Sequence, residues 1–233
     1  MTPSFSKHVP SRRRFLQMGI ASTVAGLLTS GLELAAPLSA RAQSALTPDA
    51  ALAELMEGNK RFRTGNLTAH DHDLAILKQN TVEKQEPFAA VLSCADSRVP
   101  VELVFDQSIG HIFVTRVAGN VITPEIIASL EYGAAVLGTK VILVMGHANC
   151  GAVSATIKGK SVPGQISALF PHIQPAVDQA GPNLEAATKA NAKIQATLLS
   201  QASTVVSGLV KERKLKVVAG YYELSTGAVT LIN

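Results

Sequence analysis

The segment KVILVMG, residues 140–146, decides the architecture of this chain. Its apolar residues run on without polar alternation, so a strand built from it buries both faces, as parallel strands covered by helices do. Three other runs share that character: Phe88-Ala-Ala-Val-Leu-Ser93 after Pro87, Ile112-Phe-Val-Thr115, and Lys216-Val-Val-Ala-Gly220. Helical stretches lie around them. Thr47-Pro48-Asp49 supplies a capping hydroxyl, a first-turn proline and a first-turn acid for a helix running to about Thr64, with Leu52, Leu55, Met56 and Phe62 at roughly helical spacing. Residues 123–137 open on Thr-Pro-Glu, and the alanine-rich segment Pro182–Lys214 reads as one long helix. Ala228-Val-Thr-Leu-Ile232, after the Thr226-Gly227 turn, reads as an edge strand. The alternation predicts an α/β fold with a mainly parallel central β-sheet flanked by helices and an N-terminal helical arm.

With 233 residues, 47% of them hydrophobic, the chain is long enough for one sizeable core. Its formal charge of +4 comes from 21 basic and 17 acidic residues. Five of the basic ones (Lys7, Arg12, Arg13, Arg14, Arg41) and a single acid (Glu33) lie in the first 42, which leaves 16 of each beyond them. The basic excess therefore belongs to the N-terminal segment, and the rest carries no electrostatic footprint for nucleic acid or an anionic membrane.

That segment reads as a removable leader: a basic stretch, the weakly apolar Met18–Leu32, and Ala40-Arg41-Ala42 as an A-x-A cleavage site. The apolar stretch is about 15 residues, diluted by Gly, Ser and Thr, whereas a membrane span needs ~20. Ser11-Arg12-Arg13-Arg14-Phe15-Leu16-Gln17 resembles the bacterial twin-arginine export signal. The expected organisation is a signal peptide over 1–42, a single domain over 43–233, and a periplasmic or secreted location with no membrane in the mature form.

Cys94 falls just past the end of the strand at 88–93 and His147 just past the strand at 140–146. In open α/β sheets, sites form at the carboxyl ends of strands. Cys150 follows three residues after His147, where a helix begins and unpaired backbone N–H groups favour a thiolate. Cys94, His147 and Cys150 make a Cys₂His set, a combination that in zinc enzymes leaves one position for water or substrate. An even pair of cysteines in an oxidising compartment also admits a Cys94–Cys150 disulfide, hence a disulfide-linked secreted binding protein. Asp96, two residues from Cys94, has two roles open to it: fourth ligand, or acceptor of a hydrogen bond from a metal-bound water. A bidentate pair with Arg98 holds it off the metal.

Cys94-Ala-Asp96-Ser-Arg98 together with Gly146-His147-x-x-Cys150-Gly151 resembles the β-class carbonic anhydrases. The likeness extends through Gly58-Asn-Lys-Arg-Phe62, Gln85-x-Pro87, Arg116-Val-Ala-Gly-Asn120, Ser129-Leu-Glu-Tyr132 and Gly220-Tyr-Tyr222. It implies a zinc enzyme, one Zn²⁺ per subunit, that reversibly hydrates carbon dioxide to bicarbonate and a proton. It also implies a homodimer or higher homo-oligomer, Gln85 hydrogen-bonding substrate across the dimer interface, and Phe113 and Tyr132 lining an apolar pocket. Two departures stand out: Val117 where many members have Asn, and the absence of Trp, which argues against a regulatory bicarbonate pocket built around one. Because two thiolates cancel the charge of Zn²⁺, bound water is expected to be less acidic than the pKa of ~7 of three-histidine sites, so activity should rise on the alkaline side. A carbonyl sulfide or carbon disulfide hydrolase on the same scaffold remains the near alternative.

Other polar features read as ordinary structure. His70-Asp-His-Asp73 is expected to be a solvated helix start with at most a minor proton-relay role, and Gly159-Lys160-Ser161 a turn. His111 and His172 stand alone beside apolar residues, and no role is assigned to them.

Overall fold

The computed structural model describes residues 45–69, 82 and 84–232. The leader over 1–42 and the His70/His72 cluster lie outside the described residues. Five strands form one sheet in the order β2-β1-β3-β4-β5, with β1 Ala89–Ser93, β2 Ile112–Arg116, β3 Val141–His147, β4 Lys216–Glu223 and β5 Ala228–Ile232. The first four are parallel; β4 and β5 form an antiparallel hairpin, which carries β4 three residues past the expected Gly220. Helices connect the strands: α1 Pro48–Thr64, α2 Val101–Val104, α3 Pro124–Glu131, α4 Gly151–Lys158, α5 Phe170–Ala180, α6 Leu184–Ala202 and α7 Thr204–Lys211.

Alternation along the buried strands sends successive residues to opposite layers. Val91, Leu143 and Met145 meet Ala51 and Leu55 of α1 and Val101, Val104 and Phe105 around α2. Ala90, Leu92, Ile142 and Val144 meet Leu130 of α3, Ala192, Ala196 and Leu199 of α6 and Val206 of α7. Every residue of β1 and β3 is buried, as unbroken apolar runs require.

The arm α1 starts where expected, with the Thr47 hydroxyl accepting from Ala50 N–H at 3.2 Å, and ends on Gly65 at φ 72°. Its Gly58-to-Phe62 stretch is a docking surface. A Cβ at Gly58 would stand 1.8 Å from the Phe105 carbonyl oxygen, so only glycine lets the helix come this close. Asn59, 2% exposed, donates to the Val104 and Gly227 carbonyls at 3.1 and 2.8 Å and accepts from Val229 N–H at 2.9 Å. Arg61 Nε grips Asp106 Oδ2 at 2.5 Å.

Three parts of the helical layer differ from the sequence expectation. The segment 182–214 is two helices rather than one. Ser203 ends α6 and caps α7, its Oγ accepting from Val206 N–H at 3.0 Å while donating to Glu131 Oε1 at 2.5 Å. The segment 123–137 is α-helical only to Glu131 and continues as a π-helical turn, Tyr132–Val136. Helix α5 was not anticipated, since Pro171 and Pro175 mask its periodicity; Pro171 is harmless in the first turn. Gly159-Lys160-Ser161 is a turn, with Gly159 at φ 56° closing α4.

Candidate metal centre

Strand register builds this site. Ser93, the last residue of β1, sits opposite Met145 of β3 and Arg116 of β2, so Cys94 emerges beside the end of β3. His147 is the final residue of β3. Beyond it Asn149 adopts φ 54°, the left-handed bend that turns the chain back, and Cys150 caps α4. Non-glycine residues enter that region at a cost, asparagine least among them. One ligand atom each from Cys94, His147 and Cys150 lies within 4.8 Å of the others. All three residues are buried: 5% exposed for Cys94 and 0% for His147 and Cys150.

His147 Nδ1 stands 2.9 Å from the Ala148 carbonyl oxygen. A carbonyl only accepts, so Nδ1 carries the hydrogen and Nε2 of the neutral ring is a bare lone pair. That lone pair is buried and has no hydrogen-bond partner. A buried polar atom without a partner demands a reason, and two thiols within ligand distance supply one. A borderline-soft dication taking nitrogen and sulfur fits this donor set, as zinc does. The two cysteines are free, so the disulfide weighed from the sequence is not formed. Their acidities diverge. Cys94 falls well below the ordinary thiol value, chiefly because Cys150 shares a hydrogen bond with its sulfur and outweighs the cost of burial; Cys150 is pushed up by that same bond, by its own burial and by the charge it would face.

Asp96 lies at the rim, its Oδ2 3.9 Å from His147 Nε2. Arg98 holds it in a fork, with Nε to Oδ1 at 2.9 Å and Nη2 to Oδ2 at 2.8 Å, while the Arg98 backbone N–H adds a third bond to Oδ1 at 2.9 Å. These bonds, Arg98's side chain first, hold the Asp96 carboxyl far below the usual range, so it is ionised. Nη2 of Arg98 also reaches the Asn149 carbonyl at 3.3 Å and so ties together the two ligand loops. Arg116 grips the loop from its other side, donating to the carbonyls of Cys94 and Asp96 at 2.9 and 2.5 Å.

Of the residues singled out from sequence, Cys94, Asp96, Arg98, His147 and Cys150 come together here, while Gln85, Phe113 and Tyr132 do not within one chain. Phe113 pairs with Ala90, four residues before Cys94, which at ~3.3 Å per residue puts it about 13 Å down the strand. It packs against Tyr132 with ring centroids 6.2 Å apart, and Tyr132 is 45% exposed. Gln85 is exposed and precedes β1, at the opposite end of that strand from Cys94. Residues that sequence reasoning missed surround the sulfur of Cys94. Gly119 N–H donates to Cys94 Sγ at 3.3 Å, and Asn191 of α6 donates to the Gly119 carbonyl at 2.8 Å. Arg116 and Gly119 stand in a stretch already noted as a family landmark; Asn191 carries no local signal.

The sequence profile of the carbonic anhydrase family matches residues 89–229, more than half of the chain and all five ligand-loop residues. The chain belongs to that carbonic anhydrase family. Carbonic anhydrase 2 of Mycobacterium tuberculosis is 42% identical over 110 residues, 47% of this chain and 53% of that one. A carbonic anhydrase of Mycolicibacterium smegmatis is 37% identical over 134 residues, 56% of this chain and 65% of its own length. The match thus spans about half the length of the first of these relatives and just under two thirds of the second. Among solved structures, the β-carbonic anhydrase CafA of Aspergillus fumigatus superposes with a TM-score of 0.65 at 23% identity, over 79% of this chain and 90% of that one, which shows the shared fold. A Coccomyxa β-carbonic anhydrase in complex with acetazolamide superposes at 0.59 with 26% identity, over 78% and 86%. The fold is that of the β-class carbonic anhydrases.

Proposed function

We propose that this protein is a zinc enzyme that reversibly hydrates carbon dioxide to bicarbonate and a proton. The observation that carries this reading is the bare, buried Nε2 of His147 facing two free thiols, with an ionised Asp96 held 3.9 Å away. Cys94, His147 and Cys150 hold the metal, one per chain. Bound there, zinc would supply Lewis-acid activation of water for attack on the carbon of CO₂, more so on the alkaline side because two thiolates cancel the charge of the cation. Asp96, ionised and held in the Arg98 fork, would accept a hydrogen bond from that water and orient it, with Arg98 occupying the carboxylate oxygens that could otherwise bind the metal. Released from Arg98, the Asp96 carboxylate, 3.9 Å from His147 Nε2, would be available as a further donor to the metal and would then no longer serve the water.

Gln85, Phe113 and Tyr132 serve the site of a second copy in a homodimer, which reconciles their family roles with their distance from Cys94 in one chain. Residues 1–42 direct export by the twin-arginine route and are removed, placing the mature chain from Gln43 outside the cytoplasm; the N-terminal residue of the exported protein tests this.

Stopped-flow CO₂ hydration paired with metal analysis tests the enzymatic reading. About one zinc per chain and a large loss of activity in Asp96→Asn are expected. Purified protein without stoichiometric zinc, or Asp96→Asn with full activity, overturns it. Carbonyl sulfide and carbon disulfide offered to the same preparation should turn over more slowly than CO₂.

A further inference from the structure

The sulfur of Cys94 is hydrogen-bonded by a backbone group that two buried side chains hold in place. Gly119 N–H donates to Cys94 Sγ at 3.3 Å. Gly119 sits at φ 76°, and a Cβ there would come within 2.7 Å of Ile173 Cδ1 on α5, so the turn is pressed against that helix. From α6, Asn191 Nδ2 donates to the Gly119 carbonyl at 2.8 Å and Gln195 Oε1 accepts from Ile122 N–H at 2.8 Å. The two amides are joined to each other, Gln195 Nε2 to Asn191 Oδ1 at 3.2 Å, and Gln195 also donates to the His172 carbonyl at 2.9 Å. Asn191 is 0% and Gln195 1% exposed.

Burying two primary amides side by side is costly unless their bonds are made. Here they are spent on pinning one turn at both ends, at Gly119 and at Ile122. An apolar pair at these positions would pack against the same helices but leave the Gly119 carbonyl and the Ile122 N–H without these bonds, loosening the turn just beyond the Gly119 N–H. We infer that Asn191 and Gln195 are positioning residues of the metal centre, which aim the Gly119 N–H at Cys94 and so set how strongly that sulfur donates to the metal. A hydrogen bond drains charge from a thiolate, weakening its donation and leaving the bound cation a stronger Lewis acid. Outer groups that orient metal ligands commonly change metal affinity or activity 10–100-fold when removed. The inference rests on Cys94, His147 and Cys150 being a metal centre and not on which reaction the centre performs.

The test uses the full exported chain with zinc replaced by spectroscopic stand-ins. In isotope-labelled unaltered protein loaded with NMR-active cadmium, the Gly119 amide proton should show scalar coupling to the metal through Sγ; no coupling overturns the inference. In cobalt-loaded protein, Asn191→Leu and, independently, Gln195→Met should shift the thiolate-to-cobalt charge-transfer band and change metal affinity about tenfold or more. Ile173→Val trims the packing behind the turn without touching a polar group, and should leave band and affinity in place while lowering thermal stability. If the folded amide variants match Ile173→Val in both readouts, the amides are structural only and the inference fails. Protein that takes up no metal at all defeats the reading of the centre instead, which separates the two failures.

Discussion

At the scale of single residues the site depends on directed hydrogen bonds more than on bulk packing. Arg98 is half exposed, yet it spans both ligand loops, forking onto Asp96 and reaching the Asn149 carbonyl. Arg98→Ala should retain zinc, because no ligand atom is removed, and should lower CO₂ hydration on the order of 10–100-fold, because Asp96 is freed to move onto the metal. Stopped-flow rates with metal content measured on the same sample check this; activity within a factor of two of wild type would mean that Asp96 needs no partner. Asn149 offers a second case, since its φ of 54° is the bend that brings Cys150 back under His147. Asn149→Gly should keep full zinc occupancy, whereas Asn149→Val, a β-branched residue forced left-handed, should cost about 1–3 kcal/mol of stability and weaken metal binding. Denaturation and zinc titration of the two variants, compared side by side, decide it.

At the scale of elements, α1 is tied to the β1–β2 connection by Asp106, whose carboxylate is buried yet charged. Burial pushes its pKa up, but hydrogen bonds from Arg61, the Ala69 and Thr68 N–H groups and the Thr68 hydroxyl outweigh it and leave the value at about 2 against the usual 3.8. A folded pKa below the unfolded one adds stability that is present above the unfolded value and is lost as pH falls from about 4 through 2. Asp106 sits at φ 46°, a left-handed backbone that asparagine tolerates, so Asp106→Asn should be less stable at neutral pH by about 2 kcal/mol, with the difference closing between pH 4 and 2. Urea denaturation across that range checks the sign; a gap independent of pH would assign the effect to packing. The strands were legible because being covered on both faces writes itself as an unbroken apolar run, and the metal loops because Cys94, Asp96 and Arg98 are local to one turn. What escaped has distant partners. Ser203 breaks the alanine-rich helix by bonding Glu131, 72 positions away, and Asn191 reaches Gly119 over the same separation. Nothing in the neighbouring sequence marks either residue for that work. Helix α5 was missed for a local reason, two prolines inside an amphipathic segment.

At the scale of the whole molecule, one chain places a candidate metal centre at the carboxyl ends of β1 and β3 and a separate aromatic pair about 13 Å down the strand, on β2 and the π-helical turn after α3. β2 is an edge strand of the sheet; Tyr132, packed against its Phe113, is 45% exposed, and Val136 of the same π-helical turn is 42% exposed. An exposed edge flanked by apolar side chains is a surface that proteins normally cover. If a second copy covers it, each metal centre borrows Phe113 and Tyr132 from its neighbour, and the two halves of a site are separable by mutation. Cys94→Ser removes the metal from a chain with an intact aromatic pair; the double variant Phe113→Ala/Tyr132→Ala removes the pair from a chain with an intact metal centre. Each alone should be nearly inactive. Unfolded together in equal amounts and refolded, half of the dimers pair one chain of each kind, and each such dimer contains one whole site. Recovery of about a quarter of wild-type activity is therefore expected for a two-fold symmetric dimer. If all groups of a site came from one chain, no pairing could rebuild it, and the mixture would stay as inactive as its components.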